Sequence, residues 1–367
     1  MKINAAIAEA PDTPFRISEC ELAAPGEGEL LLRVEACGIC HTDIAAKQQA
    51  MPVSLPAVLG HEGVGTILEL GPGVTDYAPG DRVVVSFGSC GQCRNCQNDA
   101  PGYCDFGMVY MTGNRPDGRQ SLSYQGAPVT GHFFAQSSMA SHAVVSSRNA
   151  VKISADFPAE IAAPLACGVQ TGAGTVLIAL NAQPGSSIAI AGCGTVGLSA
   201  VMAAKIAGCE SIVAIDVVAE RLELAKELGA TRTVLSKPGM AEELLESGGV
   251  DYAFDTTGIH SVAIELFNAL KARGTLVCAG IAKPGDTLNL DMNALMASGK
   301  HVRGVIEGDA VPGQFIPELI AYYHAGKLPV DKIIRTYPFE SINQAIDDTH
   351  SGKVVKPVLM MSAEQGE

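Results

Sequence analysis

Four cysteines with the spacing of a metal site, Cys90, Cys93, Cys96 and Cys104, follow one another closely in the chain. The pattern C-x2-C-x2-C-x7-C lets four thiolates converge on one ion, as in structural zinc sites, and an iron–sulfur cluster could use similar spacing. Free cysteines are the weaker alternative at this density. The total of 11 cysteines is odd, and the reducing cytosol in which we expect the protein disfavours structural disulfides. A zinc ion closed in by four thiolates has no position for a substrate, so we expect the reactive centre elsewhere.

Three other segments, "CGICHTD", "GHEGVG" and "PLACGVQTGAG", hold metal-ligand residue types far apart in the sequence. One nitrogen and two sulfur ligands would leave a fourth position open on a zinc ion, which is the catalytic pattern. Each residue alone is weak evidence, because an isolated buried cysteine is more often a small apolar side chain. The candidates in these segments are Cys40, Thr42, Asp43, His61, Glu62 and Cys167.

A glycine-rich segment, "GCGTVG", follows the apolar segment "SSIAIA" and precedes a helical one. In that context the glycines allow a tight turn and close approach to a pyrophosphate, and the helix N-terminus supplies N–H donors. A turn that binds no ligand is the alternative, because a chain with 40 glycines can form G-x-G-x-x-G by chance. The residues expected to contact a cofactor here are Gly192, Gly194, Thr195, Val196 and Gly197.

An acidic residue, Asp216, ends the next apolar segment, "SIVAID". An acid at this position can accept hydrogen bonds from both hydroxyls of an adenosine ribose, and it would repel a 2′-phosphate. Val217 and Val218 bring no compensating positive charge. We therefore expect NAD rather than NADP.

Two regions of different character must position these residues. The first 150 residues are rich in β-branched residues, glycine and proline, and segments such as "ELLLRVEACGI" predict an antiparallel, barrel-like region. From about Ala159, short apolar strands alternate with helical segments such as "AERLELAKELGA", which predicts βαβ units and a parallel sheet. After about Gly308 a helix leads to a last strand, "KPVLMM", and we expect the final "SAEQGE" to be a frayed tail.

The composition is that of a compact globular enzyme. The length of 367 residues favours two domains, and 47% of the residues are hydrophobic. The 25 Lys and Arg against 39 Asp and Glu give a formal charge of −14, which would repel nucleic acid and anionic membranes. The N-terminal residues lack the apolar core of a signal peptide, and no apolar run approaches the ~20 residues of a membrane span. We expect a soluble cytoplasmic protein without nucleic-acid or membrane partners.

The motifs occur together in the order in which a known enzyme family carries them. "GICHTD", "GHEGVG", the four-cysteine lobe, "LACGVQTGAG" and "GCGTVG" make the chain resemble the zinc-dependent medium-chain alcohol dehydrogenases from about Glu29 to the C-terminus. The resemblance implies an α/β architecture, with a GroES-like β-barrel catalytic domain and a doubly wound, parallel-sheet Rossmann domain. It implies a catalytic domain at 1–165 with the zinc lobe at 88–106, an NAD-binding domain at 166–307, and a return to the catalytic domain at 308–367.

The resemblance also implies two zinc ions per chain and NAD as cofactors. Cys40, His61 and Cys167 would bind a catalytic zinc, and the four lobe cysteines would bind a structural zinc. Asp43 would orient His61, and Glu62 is the residue that in this family can approach the zinc during ligand exchange.

Further residues take their expected roles from the same resemblance. Thr42 would relay the proton of the alcohol hydroxyl. Many family members carry a histidine three residues later as the proton exit, but Ala45 stands there, and Lys47 is only nearby in sequence. Three basic residues would contact NAD, although each could equally be a solvated surface residue: His41 and Lys356 at the pyrophosphate, and Arg221 over the adenosine ribose.

Segments such as "HFFAQSSMASHAVV" and "GVIEGDAVPGQFIPELI" narrow the resemblance to bacterial aryl-alcohol (benzyl alcohol) dehydrogenases, and similar enzymes take geraniol or perillyl-type terpene alcohols. This implies reversible oxidation of a primary aromatic or allylic alcohol to the aldehyde, in a homodimer or homotetramer that associates around "HVRGVIEG". Several alternatives stay open: a zinc-stabilised, non-enzymatic nucleotide-binding protein, a zinc-free reductase of enones or quinones, and a glutathione-adduct or polyol dehydrogenase.

Overall fold

The structure is a computed structural model of the chain, and it describes residues 1–283 and 285–361. The predicted frayed tail, residues 362–367, lies outside the described residues. The described residues form two compact units. The first unit contains Met1–Cys167, Val311–Ile320 and the chain from Val330 onward, and the second contains Gly168–Ala310 and Ala321–Pro329.

Strands form where apolar and β-branched residues dominate the sequence. They are β1 (Lys2–Ala8), β2 (Arg16–Leu22), β3 (Glu29–Gly38), β4 (Ala57–Val58), β5 (Gly63–Leu70), β6 (Arg82–Val85), β7 (Leu122–Tyr124), β8 (Ala127–Val129), β9 (His142–Ser146), β10 (Ala150–Lys152), β11 (Ser187–Ala191), β12 (Ser211–Asp216), β13 (Arg232–Leu235), β14 (Val250–Asp255), β15 (Leu270–Cys278), β16 (His301–Gly304), β17 (Ile334–Pro338) and β18 (Lys356–Met360).

Helices are mostly short, and their buried residues are mainly apolar. They are α1 (His41–Lys47), α2 (Arg94–Gln97), α3 (Gly107–Met111), α4 (Ala159–Ala162), α5 (Gly168–Gly174), α6 (Thr195–Ala207), α7 (Ala219–Leu228), α8 (Met240–Glu246), α9 (His260–Asn268), α10 (Met292–Ser298), α11 (Pro312–His324) and α12 (Ile342–His350). Single turns of 3-10 helix are Pro101–Tyr103, Phe133–Ala135, Ser147–Asn149, Ala163–Ala166, Glu307–Asp309, Val330–Ile333 and Phe339–Ser341, and Thr175–Ala179 is a π-helical turn.

The first unit is built from two mainly antiparallel sheets, as the sequence predicts for its N-terminal region. One sheet has the strand order β4-β1-β2-β7-β8, and the other has the order β10-β6-β5-β3-β18-β17, with β9 also paired to β3. The C-terminal strand β18 pairs with β3 through Val358↔Gly38 and Leu359↔Cys37. This pairing returns the end of the chain to the segment that leads into Cys40.

The second unit contains a parallel sheet with the strand order β13-β12-β11-β14-β15-β16. Its pairs are parallel throughout, and the buried strand residues pack with helical residues such as Leu244 and Leu266. The order reverses direction between β11 and β14, which makes the carboxyl end of β11 the switch point where doubly wound sheets bind ligands. The predicted βαβ organisation is therefore confirmed.

Among the described residues, no single helix is long and apolar enough to cross a membrane. The pair Ala159–Ala166 and Gly168–Ala179 meets that test only when both helices are taken together, by length and composition.

Candidate functional site

Three ligand-type side chains come from separate segments of the first unit. Cys40 directly precedes α1, His61 lies between β4 and β5, and Cys167 follows the turn Ala163–Ala166. One ligand atom from each of them, together with a carboxylate oxygen of Glu62, lies within 4.8 Å of all the others. The fold thus brings together the dispersed residues that the sequence analysis proposes as a catalytic metal set.

Asp43 is a buried carboxylate that forms hydrogen bonds with several residues of this cluster. Its Oδ2 accepts a hydrogen bond from Cys40 N at 2.9 Å, and its Oδ1 accepts one from Gly60 N at 3.0 Å. Asp43 Oδ1 also lies 2.9 Å from His61 Nδ1. Because a carboxylate only accepts, this bond places the imidazole proton on Nδ1 and leaves the Nε2 lone pair free for a metal ion. The geometry supports the orienting role expected for Asp43.

The imidazole of His61 is presented to the sulfur atoms with one nitrogen unpaired. His61 Nε2 is buried and has no hydrogen-bond partner in the described part of the chain. Leaving such an atom unpaired is costly, and a metal ion would satisfy it. Phe134 stacks on the imidazole with ring centroids 4.6 Å apart, and Phe133 meets it edge-on at 5.6 Å. With Cys40 and Cys167, the donor set is one nitrogen and two sulfurs, which fits a zinc ion with one position open.

Residues 133–138 hold these two rings in an unusual backbone conformation that the sequence analysis missed. Phe134, Ala135 and Ser137 all have positive φ, at 53°, 62° and 58°. Ser137 Oγ donates to the carbonyl of Val58 at 2.7 Å, which anchors the segment to β4. Strained backbone of this kind persists only where its surroundings hold it, and it is common at functional sites. The available sequence signal was the run of small polar residues in "AQSSMAS", placed between apolar segments.

Two neighbouring cysteines differ in their ionisation because their surroundings differ. A hydrogen bond with Cys167 and the nearby His61 lower the pKa of the Cys40 thiol well below its ordinary value, although burial opposes this. Burial raises the pKa of the Cys37 thiol, whose Sγ lies 3.3 Å from Ser138 Oγ. Cys40 is therefore the cysteine suited to bind a metal as a thiolate, and Cys37 stays a protonated core residue.

Thr42 and His41 occupy the first turn of α1, next to Cys40. Thr42 is half-buried, and its Oγ1 lies 3.6 Å from Cys40 Sγ, so the hydroxyl adjoins the metal set. His41 is exposed at the start of the helix. Its expected contact with a pyrophosphate stays a prediction.

The residues considered for proton exit do not offer an obvious route. Ala45 is buried and has only a methyl group. Lys47 Nζ donates to the carbonyl of Pro11 at 2.5 Å and lies 5.8 Å from the centre of the Phe15 ring. Lys47 is thus held by the loop that precedes β2.

Lys356 is buried in the first unit and is paired with Glu62. Its side chain is 1% exposed, and Nζ donates to both carboxylate oxygens of Glu62 at 2.8 Å and to the carbonyl of Ile39 at 3.0 Å. An ammonium group has three donors, and these three acceptors can engage all of them. Burial alone would lower the pKa of Lys356, but Glu62 raises it above its ordinary value, so the ammonium stays charged. The structure thus shows Lys356 paired with Glu62, and its expected contact with the pyrophosphate stays a prediction.

The four lobe cysteines form a second, separate cluster in the first unit. The Sγ atoms of Cys90, Cys93, Cys96 and Cys104 lie within 4.8 Å of one another. Cys90 N donates to Cys104 Sγ at 3.2 Å, and Cys93 N donates to Cys90 Sγ at 3.3 Å. Backbone N–H groups of Asp105 and Cys96 lower the pKa of the Cys93 thiol to about 6. Four convergent sulfurs with N–H support fit a structural zinc ion with no open position.

The glycine loop of the second unit lies at the switch point of the parallel sheet. Gly192 directly follows β11 with a φ of +90°, which favours glycine. A Cβ atom at Gly197 would overlap the carbonyl oxygen of Gly192, so α6 can pack against the loop only with glycine there. Gly194 precedes α6, and Thr195 and Val196 form its first turn. The loop and helix end have the form of a pyrophosphate site.

Asp216 and Arg221 stand close to this loop. Asp216 ends β12, and its carboxylate accepts hydrogen bonds from Cys193 N at 2.6 Å and from Val218 N at 2.8 Å. Each oxygen can accept a further bond, which is compatible with the predicted ribose contact. Arg221 Nε is buried without a hydrogen-bond partner among the described residues. Such a donor is compatible with a polar ligand beside the loop.

Both units match known protein families. Residues 26–155 match the alcohol dehydrogenase GroES-like domain, and residues 195–322 match the zinc-binding dehydrogenase family. The chain is 38% identical over 365 residues to a geraniol dehydrogenase of Castellaniella defragrans, and the match covers 97% of each chain.

Solved structures with the same fold support this assignment. The crystal structure of benzyl alcohol dehydrogenase from Acinetobacter calcoaceticus superposes with a TM-score of 0.95 at 40% identity, covering 99% of this chain and 100% of the other. An alcohol dehydrogenase zinc-binding domain protein from Burkholderia ambifaria superposes with a TM-score of 0.96 at 43% identity and the same coverage. The predicted combination of a GroES-like domain with a Rossmann domain is confirmed. The chain belongs to the zinc-dependent medium-chain alcohol dehydrogenase family.

Proposed function

We propose that the protein catalyses the reversible oxidation of a primary aromatic or allylic alcohol to the aldehyde, with NAD as the hydride acceptor. The observation that carries the proposal is the convergence of Cys40, His61 and Cys167 in a chain that also holds a four-cysteine lobe and a glycine loop. A non-enzymatic zinc-stabilised protein would not need the first set, and a zinc-free reductase would need neither cysteine set. The geraniol and benzyl alcohol dehydrogenases among the relatives support the substrate class.

The residues of the first unit would hold two zinc ions. Cys40, His61 and Cys167 would bind the catalytic ion, and the lobe cysteines would bind the structural one. A zinc ion with three protein ligands supplies Lewis-acid polarisation of an oxygen at its open position. Asp43 keeps the proton on His61 Nδ1, and the ring of Phe134 shields the imidazole from water.

Thr42 is the group in this chain that would take up the proton of the alcohol hydroxyl. Its hydroxyl can both accept that proton and donate its own onward, which is what a relay requires. Because Ala45 carries no titratable group, the onward acceptor must be a water molecule or part of the cofactor.

The second unit would bind NAD. Thr195 and Val196 would offer backbone N–H groups to the pyrophosphate, and Asp216 would accept hydrogen bonds from the adenosine ribose. Arg221 would contribute its free Nε beside the adenosine. When bound, NAD would supply the nicotinamide carbon as hydride acceptor.

Cofactor choice gives a direct prediction about Asp216. We expect kcat/KM to be at least about 100-fold higher with NAD than with NADP, because placing a 2′-phosphate beside a carboxylate costs several kcal/mol. Asp216→Asn, which removes the charge at constant size, should narrow this ratio. Glu220→Gln, at an exposed acid in the first turn of α7, is the matched control and should leave it unchanged. A preference of the unmodified enzyme for NADP would refute the assignment.

A substrate panel tests the proposed reaction. The holoenzyme with NAD should oxidise benzyl alcohol with a higher kcat/KM than ethanol or a polyol. Geraniol as the best substrate would favour a terpene alcohol dehydrogenase, which is the second candidate. Highest efficiency with ethanol or the polyol would contradict the proposed substrate class.

We also propose a homodimer or homotetramer located in the cytoplasm. Strand β16 is the outer strand of the parallel sheet, and its residues His301–Gly304 are exposed along their whole length. An unprotected edge strand is a ready surface for pairing with a second copy. Sedimentation or light scattering of the purified protein would report the assembly.

A further inference from the structure

The buried ion pair between Lys356 and Glu62 adjoins the proposed catalytic zinc site. We propose that Lys356 is a positioning residue that keeps Glu62 from becoming the fourth zinc ligand and so keeps one zinc position open for the alcohol. This inference rests on the proposed catalytic zinc site, and it concerns what that site needs beyond its three ligands.

Glu62 has the chemistry and the position to close the site. One of its carboxylate oxygens lies within 4.8 Å of the ligand atoms of Cys40, His61 and Cys167. Zinc binds carboxylate oxygen as well as nitrogen and thiolate, and a zinc ion with four protein ligands is a structural site without catalytic capacity. For the zinc position to stay open, another group must therefore bind the Glu62 carboxylate more strongly than the zinc ion does.

Lys356 is the group that binds the Glu62 carboxylate. Its Nζ lies 2.8 Å from both Glu62 oxygens, so the two atoms that could bind zinc are both engaged. The third donor is held by Ile39 O at 3.0 Å. The Glu62 side chain is fully buried and that of Lys356 is 1% exposed, so water cannot replace either partner. Separating two buried opposite charges is strongly unfavourable, so the carboxylate stays paired with the lysine.

The C-terminal strand and Gly38 build this arrangement. β18 pairs with the end of β3, and Ile39 N donates to Pro357 O at 3.0 Å, which puts Lys356 beside the segment preceding Cys40. A Cβ atom at Gly38 would overlap Glu62 Oε2, so the carboxylate lies in space that only glycine leaves free. Glu62 is thus attracted by Lys356 and accommodated by Gly38.

The test uses the full-length protein with Co²⁺ in the catalytic site and imidazole as the added ligand. In the unmodified protein, imidazole should bind at the open position and shift the cobalt absorption bands. In Lys356→Met, Glu62 should occupy that position, so the shift should be lost. Release of the catalytic zinc to EDTA should slow by on the order of tenfold, the scale of outer-partner effects on metal affinity. Lys356→Arg, which keeps the charge, should restore the imidazole response.

Three further variants separate this role from a general packing defect. Lys356→Met/Glu62→Gln removes both charges, so the site should open again and the imidazole shift should return. Gly38→Ala leaves Lys356 in place but displaces the carboxylate, so it should weaken the imidazole response. Lys353→Met is the matched control, because that lysine is exposed and pairs with Asp348 rather than with Glu62. It should behave as the unmodified protein does.

The outcomes distinguish the inference from the proposed function. If Lys356→Met binds Co²⁺ and keeps an unchanged imidazole shift, the inference is overturned. If Lys356→Met bound NAD more weakly but kept an unchanged imidazole shift, the inference would also be overturned, and a role of Lys356 in cofactor binding would be favoured. If the unmodified protein binds no metal ion at Cys40, His61 and Cys167, the proposed function fails instead.

Discussion

Replacing Cys40 by alanine is expected to remove one of the two proposed zinc ions and to lower kcat/KM for alcohol oxidation by at least about 1,000-fold. The Cys40 thiolate is one of three proposed zinc ligands. A catalytic zinc site needs three protein ligands, so His61 and Cys167 alone would not form one. Metal polarisation of an oxygen contributes several kcal/mol, and each ~1.4 kcal/mol is a factor of ten in rate. Metal analysis and steady-state kinetics on the same sample check both parts of the prediction.

Cys37→Ala is the matched control for this variant. Cys37 lies three positions earlier on β3 and is fully buried, but its sulfur contacts Ser138 rather than the metal set. We expect two zinc ions per chain and turnover close to that of the unmodified enzyme. If Cys40→Ala kept both zinc ions and full activity, the catalytic metal site would be misassigned.

Loss of a lobe cysteine should lower the stability of the protein more than its activity. Cys93→Ala should also leave one zinc ion, but its main effect should be a lower Tm, because four sulfurs on one ion cross-link the loop without reaching a substrate. Activity measured well below the Tm should survive better than in Cys40→Ala. If folded Cys93→Ala lost as much activity as folded Cys40→Ala, the structural role assigned to the lobe would be contradicted.

Thr42→Val is expected to lower kcat by about 100- to 10,000-fold, the range in which a positioned acid–base group acts. Valine has nearly the same shape as threonine, so α1 and Cys40 should keep their positions. The change removes only the hydroxyl that lies 3.6 Å from Cys40 Sγ. Zinc content and the Kd for NADH should therefore stay unchanged, and a pre-steady-state measurement should show that the hydride step itself has slowed.

Thr42→Ser retains the hydroxyl and should retain most of the activity. Its serine can rotate more freely, so a modest loss would reflect positioning rather than chemistry. Turnover of Thr42→Val equal to that of the unmodified enzyme would remove Thr42 from the proton path. A water molecule hydrogen-bonded to the alcohol hydroxyl would then be the direct proton acceptor.

The sequence by itself determined the parts of the site that are local. The lobe cysteines lie within a few residues of one another, so their spacing alone indicates a shared ion. The glycine loop between β11 and α6 is also local, because strand, turn and helix follow directly along the chain. The order of these motifs was enough to predict both domains and the enzyme family.

Tertiary structure decided everything that depends on long-range pairing. Cys40, His61 and Cys167 come together because the sheets of the first unit fold back on themselves, and no single motif shows this. The family resemblance suggested a cofactor role for Lys356, whereas its burial against Glu62 follows only from the pairing of β18 with β3.

The backbone conformation of residues 133–138 also could not be predicted from the sequence. Phe134, Ala135 and Ser137 are poor choices for positive φ when judged locally, and contacts with distant segments such as β4 hold them there. Local propensity describes the energy of a residue and its neighbours, whereas the ion pair at Lys356 and the stack on His61 depend on residues that meet only after folding. The chain thus encodes its ligand types in short motifs, and the fold determines which of them share a site.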